Sequence, residues 1–502
     1  MSQTYFLETF GCQMNVLDSQ LVEGQLRARG YSSVDSWAAA DLVLFNTCSV
    51  RQHAEDKVLS RLGELKSLKQ KRPELLIGVI GCMAEREKQG LFVRAPHVDL
   101  LCGPGELNQL PGLIDEARAR HERVFALAGS LSRRTEVLQR ALEADSLEAL
   151  DLSRAPGENE SVLQSYIRVQ RGCDKFCTYC VVPFTRGPER SRPAAHIVEE
   201  ARKLAERGCR EITLLGQTVN SYVHQEDGQA VRFAQLLERV HAVDGLDRIR
   251  FVTSFPADWD EDIFRVMRDF AKIMPYLHIP AQSGSDSVLK RMRRTYTVAG
   301  YLRLMDTARK YLPQISLAGD FIVGFSGETD ADFHQTIELV QRVEYKGIFV
   351  FKYSTRPGTS AERNLDDDVS NEVKMARNQE LLGVQEAISR RHKQSMVGQS
   401  FEVLVEGFSK FGRRAIRQES EQDRGVEVAQ TGGGQLVGRT PGDLIAVFEG
   451  DASLIGSLAR VRVERATPLT LFATLESVYS PARRPIAAPP ATGIPLPQVA
   501  AH

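Results

Sequence analysis

The stretch YIRVQRGCDKFCTYC, residues 166–180, sets the fold of the middle of the chain. Tyr166–Gln170 has the pattern of a β-strand, and the loop that follows it holds three cysteines. Five more strand candidates come later, with amphipathic helical segments between them: Glu211–Leu215, Ile249–Ser254, Tyr276–Ile279, Ile315–Val323 and Ile348–Tyr353. Six βα units within about 200 residues predict a partial (βα)6 barrel.

The three cysteines of this loop, Cys173, Cys177 and Cys180, have a spacing that suits an iron–sulfur cluster. A cubane cluster needs soft thiolate ligands, and three of them leave one iron open to a small molecule. A zinc knuckle or three buried thiols is the alternative. Zinc sites usually close with a fourth ligand near in sequence, and the closest candidate, His196, lies sixteen residues beyond Cys180. The spacing therefore favours a cluster at the C-terminal end of a barrel strand, where barrel active sites assemble.

A second alternating series fills the first 120 residues. Thr4–Gly11, Asp41–Asn46, Leu75–Ile80 and a weaker Val98–Leu101 have the pattern of strands, with helix-like segments between them. Short apolar runs of this kind are typical of strands that are buried in a parallel sheet. The series predicts a doubly wound α/β domain.

Three further cysteines, Cys12, Cys48 and Cys82, each come directly after one of these strands. The carboxyl ends of parallel strands lie along one edge of a sheet, so cysteines that are far apart in sequence can meet there. Three unrelated buried thiols are the alternative, because free cysteine is among the most buried residue types. Three equivalent positions favour a second site, whereas Cys102 and Cys209 are expected to be buried structural residues.

After Gly398 the pattern changes to short strands, FEVLVEG, GVEVAQ, LIAVFEG and LARVRVER, which predict a small β-barrel. A long helix, Asn371–Gln394, precedes it, and a tail rich in proline and alanine is expected to be disordered. The predicted division is 3–120 for the N-terminal α/β domain, 121–158 for a connection, 159–391 for the (βα) barrel, 394–466 for the β-barrel and 478–502 for the tail.

The composition is that of a globular protein: of the 502 residues, 42% are hydrophobic and 26% charged, and the formal net charge is -1. This charge neither favours nor excludes a nucleic-acid partner, because binding depends on local patches. The sequence has no run of eighteen apolar residues, and its N-terminus does not resemble a signal peptide. A cytoplasmic protein with no membrane partner is expected. In that setting cysteines are more often ligands than disulfides.

The motifs together resemble those of the methylthiotransferases, a branch of the radical S-adenosylmethionine (SAM) superfamily. ETFGCQMN, FNTCSVR and GCMAER are similar to their N-terminal domain, and RGCDKFCTYCVVPFTRGPERSRP is similar to their radical SAM core. GQTVNSY, SFPADW, HIPAQSGSDSVLKRMRRTYT, GDFIVGFSGETD and YSTRPGT continue the resemblance in order, over roughly residues 3–470. The terminal β domain resembles the TRAM module, an RNA-binding barrel.

The resemblance implies two [4Fe–4S] clusters and SAM as cofactors. One cluster would bind SAM and generate a 5′-deoxyadenosyl radical, and the other would present sulfur for methylation. SAM would be both methyl donor and radical source, and the methylthio group would go to C2 of N6-(dimethylallyl)adenosine at position 37 of tRNA, beside the anticodon. No catalytic side chain beyond the clusters is implied. The implied ligands are Cys173, Cys177 and Cys180 for the first cluster and Cys12, Cys48 and Cys82 for the second.

Other residues match family motifs near the SAM site. The candidates for cofactor binding are Gly216, Gln217, Gln282, Ser283, Gly324, Glu328 and Arg186, the last as a partner for a carboxylate or phosphate. Ser326 stands where the family usually has proline, so the turn before Glu328 is expected to differ. An RNA surface is expected from basic and aromatic residues of the terminal domain: Lys410, Arg413, Arg414, Arg417 and Arg439, with Phe408 and Phe411.

Three alternatives stay open on the sequence: methylthiolation of a ribosomal protein, of threonylcarbamoyladenosine in tRNA, or a non-enzymatic iron–sulfur redox sensor that binds RNA. The ribosomal-protein enzymes usually have Pro-Lys after the first cysteine, which Cys12 lacks. The expected partners are tRNA, an electron donor such as flavodoxin or ferredoxin, and a sulfur source.

Overall fold

The computed structural model of the chain describes residues 3–49, 52–128, 134–139, 147–152, 163–409 and 434–481. The predicted strand GVEVAQ and all of the predicted tail beyond residue 481 lie outside these ranges. Among the helices within them, none has both the length and the apolar character that a membrane crossing requires.

The N-terminal domain is one parallel sheet with helices on both faces, as predicted. Its elements are β1 (Thr4–Phe10), α1 (Gln13–Ala28), β2 (Ser32–Ser33), β3 (Leu42–Thr47), α2 (Gln52–Lys71), β4 (Leu76–Gly81), α3 (Cys82–Glu87), α4 (Gly90–Arg94), β5 (Leu100–Cys102), α5 (Leu110–Arg120) and β6 (Val124–Ala126). The strand order is β2-β1-β3-β4-β5-β6, and every neighbouring pair is parallel. β3 and β4 are buried along their whole length, because apolar cores cover both faces of the sheet.

The sixth strand, β6, lies within residues 121–158, which the sequence pattern assigns to a connection. Three residues are too few to show a strand periodicity, and pairing with β5 is what makes this segment extended. Two short helices follow in the described part of the connection, α6 (Arg134–Gln139) and α7 (Glu148–Leu152).

The central domain is a partial barrel of six βα units, as predicted. Its elements are β7 (Gln164–Arg168), β8 (Gln170–Arg171), α8 (Val182–Arg186), β9 (Arg190–Ser191), α9 (Ala194–Glu206), β10 (Glu211–Leu215), β11 (Val223–Glu226), β12 (Gln229–Arg232), α10 (Phe233–His241), β13 (Arg248–Phe251), α11 (Glu261–Asp269), β14 (Tyr276–His278), α12 (Asp286–Arg291), α13 (Val298–Tyr311), β15 (Ser316–Val323), α14 (Asp330–Val343), β16 (Gly347–Lys352), α15 (Ser360–Asn364) and α16 (Asn371–Gln394).

The six barrel strands form two parallel sheets, β13-β10-β7 and β14-β15-β16, and a bridge between Ile249 and Ile273 joins them. A single large apolar core fills the space between these strands and their helices.

The terminal domain is a closed five-stranded barrel of order β17-β18-β19-β21-β20. Its strands are β17 (Ser400–Phe408), β18 (Gly434–Arg439), β19 (Ile445–Gly450), β20 (Leu458–Ala466) and β21 (Thr470–Ser480). The sequence pattern did not indicate β18 or β21. β21 lies beyond residue 466, and its pairing with β19 and β20 closes the barrel.

This small barrel docks on the central domain at the N-terminal ends of the central strands. Arg248 donates to the backbone oxygen of Arg439 (2.7 Å), and Arg250 donates to those of Thr440 (2.9 Å) and Pro441 (2.8 Å). The small barrel therefore covers the end of the central barrel that is opposite to the cysteine loop.

Candidate functional site

The strand-end cysteines of the N-terminal domain come together because their strands are in register. Phe10 of β1 pairs with Thr47 of β3, and Thr47 pairs with Gly81 of β4. Cys12, Cys48 and Cys82 come one or two residues after these three neighbours. The parallel register thus brings three cysteines from separate parts of the sequence to one edge of the sheet.

Two glycines allow the loops at this edge to approach one another. A Cβ at Gly11 (φ +131°) would lie 2.5 Å from the Cβ of Cys48. A Cβ at Gly81 (φ +89°) would lie 2.4 Å from Oδ1 of Asn46. Both positions need glycine for their backbone angle as well as for the space.

A buried pair of asparagines, Asn15 and Asn46, holds the same loops. These two residues were not among the predicted site residues. The Asn15 side chain donates to Oδ1 of Asn46, and Asn46 donates to the backbone oxygen of Asn15 (both 2.9 Å). Oδ1 of Asn15 also accepts from the thiol of Cys12 at 3.2 Å. Their place in the quoted motifs ETFGCQMN and FNTCSVR was the available signal.

The electrostatics of the N-terminal thiols are set by the neighbouring thiol and by one arginine. A hydrogen bond from Cys48 and the charge of Arg186 together lower the pKa of Cys12 to about 6, against the effect of burial. Burial raises the pKa of the Cys82 thiol, which Arg186 opposes. A thiol beside a cation is readily ionised, and a thiolate is the form that binds metal.

The loop of the second triad is held in shape by backbone contacts. Gly172 (φ +67°) is packed so closely that a Cβ there would lie 1.9 Å from the oxygen of Pro188. Cys173 N–H donates to the oxygen of Gly187 (3.2 Å), and Phe176 adopts a left-handed backbone (φ +46°). These constraints turn the three cysteines of the loop toward one another.

Cys173 and Cys177 of this triad are buried and Cys180 is partly buried. Burial, and then Cys180, raises the pKa of Cys173 well above its usual range. Burial, and then Cys177, raises the pKa of Cys180 to about 12. Arg294 donates to Sγ of Cys177 at 3.3 Å. Three such thiols need a further cationic centre to ionise together, and an iron cluster supplies one.

The two triads face each other across the contact between the N-terminal and central domains. Cys82 is one of the groups that raise the pKa of Cys180, so the two sets of sulfurs lie within electrostatic reach. A cavity of about 140 Å³ lies at the same contact, with Ser49 on one side and Cys180 and Tyr179 on the other. The cavity thus borders the second triad at Cys180 and, through Ser49, the residue next to Cys48.

The donor set fits clusters better than a single metal ion. Within the described ranges no three His, Cys, Asp or Glu side chains converge tightly enough to hold one ion. A cluster puts each thiolate on a different iron, so its ligands need not converge on one point. His196, the nearest candidate for a fourth zinc ligand, instead contacts Oε1 of Glu148 at 3.1 Å.

Two of the residues predicted to bind cofactor have buried polar atoms that are available for a ligand. Oε1 of Gln217 and Oε1 of Gln282 find no hydrogen-bond partner in the described part of the chain. Gln282 lines the cavity at the domain contact and has a left-handed backbone (φ +69°). Gly216 precedes Gln217 and packs against Gln170. An unpaired buried amide oxygen costs free energy, which a bound ligand would recover.

The other residues predicted to bind cofactor have partners within the protein. Ser283 accepts from the backbone of Ser285 (3.2 Å). Glu328 accepts from the N–H of Gly324 (2.9 Å) and from Arg377 (2.8 Å), which fixes the turn at Ser326 without a proline. These contacts shape the end of β15, and a role in binding SAM stays a prediction for Ser283, Gly324 and Glu328.

Arg186 meets a carboxylate, but it is that of Asp18 in the N-terminal domain, at 2.9 Å. Asp18 also pairs with Arg168 (2.9 Å), and Arg168 pairs with Asp151 of the connection (2.7 Å). Asp18, Arg168 and Asp151 are almost completely buried. No sequence pattern indicates this network, because charged residues distant in sequence carry no signal that pairs them.

The expected RNA surface lies mostly outside the described residues, which end at residue 409 and resume at 434. Lys410, Phe411, Arg413, Arg414 and Arg417 all fall in that gap. Of the two that are described, Phe408 packs against the barrel core.

Arg439, the other described member of the expected RNA surface, is bound within the protein. It pairs with Glu406 (3.1 Å) and Asp443 (2.8 Å). These two carboxylates hold its guanidinium, and a role of Arg439 in binding RNA stays a prediction.

Three family models match the chain. They are the Uncharacterized protein family UPF0004 at residues 4–103, the Radical SAM superfamily at 167–340 and the TRAM domain at 426–475.

Curated relatives match nearly the whole chain. A "tRNA-2-methylthio-N(6)-dimethylallyladenosine synthase" of Rhodopirellula baltica is 46% identical over 478 residues, which cover 95% of this chain and 96% of the relative. A protein of the same name from Syntrophotalea carbinolica is 42% identical, with 92% and 97% covered.

Among solved structures, the radical SAM methyltransferase TsrM of Kitasatospora setae matches with a TM-score of 0.51 and 15% identity. The match covers 72% of this chain and 75% of that one. At this identity the match is one of fold alone.

Proposed function

The chain belongs to the family of tRNA-2-methylthio-N(6)-dimethylallyladenosine synthases, and on that premise we propose that it adds a methylthio group to C2 of N6-(dimethylallyl)adenosine in tRNA. It is a radical SAM enzyme of the methylthiotransferase type. The observation that carries the proposal is the arrangement of two cysteine triads at one domain contact, with Cys82 within electrostatic reach of Cys180 and Cys180 on the wall of a cavity at that contact. We assign the enzyme to the cytoplasm, because its proposed substrate is tRNA.

Cys173, Cys177 and Cys180 would hold the [4Fe–4S] cluster that binds SAM, and Cys12, Cys48 and Cys82 would hold the auxiliary one. The clusters and SAM supply the radical, the sulfur and the methyl group, chemistry that no side chain of the protein can provide at an unactivated C–H bond.

The residues of the chain itself position and enclose the reactants. Gln217 and Gln282 offer their buried amide oxygens as acceptors for the ammonium group of SAM or for other donors. Tyr179 and Ile322 give the cavity apolar walls, which exclude water from a radical. Arg294 donates a hydrogen bond to Sγ of Cys177 and so holds this sulfur in place.

The small barrel is proposed to bind the tRNA, in line with its match to the TRAM domain. A one-electron donor of the flavodoxin or ferredoxin type and a sulfur source complete the proposed partners.

The proposal is tested by separating SAM cleavage from methylthiolation. Cys48→Ala should still form 5′-deoxyadenosine but give no 2-methylthio product, because only the auxiliary site loses a ligand. Cys102→Ala is the matched control, because it also removes a cysteine at the end of a strand of the same sheet. In the wild type the thiol of Cys102 donates a hydrogen bond to the backbone oxygen of Glu106 (3.3 Å). This control should retain both activities.

The assay is mass spectrometry of tRNA nucleosides and of 5′-deoxyadenosine after anaerobic reconstitution. Loss of both activities in Cys48→Ala would argue against two distinct clusters. Unchanged 2-methylthio adenosine in the tRNA of a deletion strain would eliminate the proposed substrate.

A further inference from the structure

A second cavity, of about 380 Å³, lies against the cysteine loop. Cys177 and Phe176 form part of its wall, and none of the described residues of the N-terminal domain, 3–49 and 52–128, lines it. Its remaining lining residues are Arg134, Phe184, Arg293, Ser360 and Arg363.

Three exposed arginines from separate parts of the chain surround this cavity. Arg134 comes from α6, Arg293 from the segment after α12 and Arg363 from α15. The guanidinium of Arg134 lies over the ring of Phe176, 5.2 Å from its centroid. Arg293 has a left-handed backbone (φ +57°). The cavity is thus a basic surface directly outside a loop that carries three proposed cluster ligands.

The acidic run that follows α15 does not cancel this charge by itself. Asp367 pairs with Lys374, and Asp368 accepts from the N–H of Gly327. Two of the three carboxylates of the run are therefore engaged away from the cavity.

The two cavities meet different cysteines of the same loop. Cys180 lines the cavity at the domain contact together with Ser49, whereas Cys177 lines the arginine cavity. Reactants are proposed to occupy the first cavity, so the second leaves a separate approach to the cluster. Electron transfer needs close approach and no access to the substrate, and a basic rim attracts an acidic protein.

We propose that the cavity bounded by Arg134, Arg293 and Arg363 is the docking site of a small acidic one-electron carrier protein, which reduces the cluster from the side of Cys177. The proposal rests on the proposed function. The carrier gives up one electron to the cluster and is oxidised by one electron, and no bond forms or breaks. A phosphate of RNA would also suit arginines, but a wall made of the cluster loop favours the redox partner.

Binding of a flavodoxin to the full chain tests the proposal without relying on turnover. The Arg134→Glu, Arg293→Glu, Arg363→Glu triple variant should raise the Kd by about tenfold or more at low salt, and the wild-type Kd should rise with ionic strength. The matched control is the triple variant Arg303→Glu, Arg342→Glu, Arg390→Glu, which makes the same charge change on helices α13, α14 and α16. This control should leave the Kd within about twofold of the wild type.

The two triple variants are also compared with dithionite as reductant and for tRNA affinity. Equal 5′-deoxyadenosine formation with dithionite, together with unchanged tRNA binding, would support docking. An unchanged flavodoxin Kd would overturn it, and so would a loss confined to tRNA affinity, which would assign the surface to RNA. A wild type that forms no 5′-deoxyadenosine with dithionite would count against the proposed function, whereas the docking surface is judged by the Kd.

Discussion

Replacing Asp18 with asparagine should weaken the attachment of the N-terminal domain by about 3–5 kcal/mol, the usual result of removing one partner from a buried ion pair. Asp18 pairs with Arg168 and Arg186, both at 2.9 Å. Arg168 would keep its second carboxylate, that of Asp151. Only Arg186 would lose its carboxylate partner, so the loss is that of one uncompensated cation rather than two.

The protein offers a probe for this measurement, because it has only two tryptophans, Trp37 and Trp259. Trp37 lies in the N-terminal domain and Trp259 in the central domain. In a Trp259→Phe background, fluorescence therefore follows the N-terminal domain alone during urea unfolding. With a slope of about 3 kcal/mol per molar urea, Asp18→Asn should lower the midpoint on the order of 1 M.

Asp115→Asn is the matched control, because Asp115 pairs with Arg29 on the surface and is 64% exposed. Asp115→Asn should lower the free energy of unfolding by less than about 1 kcal/mol. Adding Arg186→Gln to Asp18→Asn should restore part of the lost stability by removing the unpaired charge. Equal midpoints for Asp18→Asn and the control, or no recovery in the double variant, would refute the reasoning.

Three further outcomes are expected. Burial alone would raise the pKa of Asp151, but the arginines around it lower that pKa below its usual range. The unfolded chain therefore takes up the proton first, and the free energy of unfolding falls as the pH drops below about 4. In urea titrations, the stability of Asp151→Asn should depend less on acid than that of the wild type. Gly172→Ala should lower the free energy of unfolding on the order of 3 kcal/mol and abolish iron incorporation. Gly112→Ala, in open space on a helix, should raise the free energy of unfolding by about 0.5–1 kcal/mol. A thermal melt in which Gly172→Ala is the more stable variant would contradict the packing. Arg294→Met should lower the reduction potential of the cluster proposed at Cys177, since a donor to sulfur favours the reduced state; a potential that is unchanged in spectroscopic titration would exclude this contact.

The parts of the fold that the sequence predicts well are those with a strong local period. The fully buried strands Leu42–Thr47 and Leu76–Gly81 are apolar runs, and the helix Asn371–Gln394 has the predicted ends. The strand Val124–Ala126 was not predicted, because three residues carry no period and its partner strand makes it extended. β21 was missed as well, since its residues alternate weakly and the barrel closure decides its conformation.

The candidate site divides in the same way. Cysteines at strand ends are visible in a sequence, because a parallel sheet converts that position into a shared edge. Contacts between domains cannot be recognised in the sequence in this way. The pairing of Asp18 with Arg186, and of Arg439 with Asp443, depends on how the domains and loops pack. For that reason the sequence identified neither the carboxylate that Arg186 meets nor the carboxylates that pair with Arg439.

The arginines that attach the small barrel have a consequence for how the protein can diverge or be engineered. Arg210, Arg248 and Arg250 donate to main-chain oxygens of the barrel, among them those of Gly456, Arg439 and Pro441. Every residue has a main-chain oxygen, so substitutions in the contacted loops leave these bonds in place as long as the loop keeps its path. The main-chain part of the attachment therefore tolerates exchange of the loop side chains, whereas the ion pairs Arg248–Glu402 and Lys346–Asp443 depend on two particular carboxylates of the barrel.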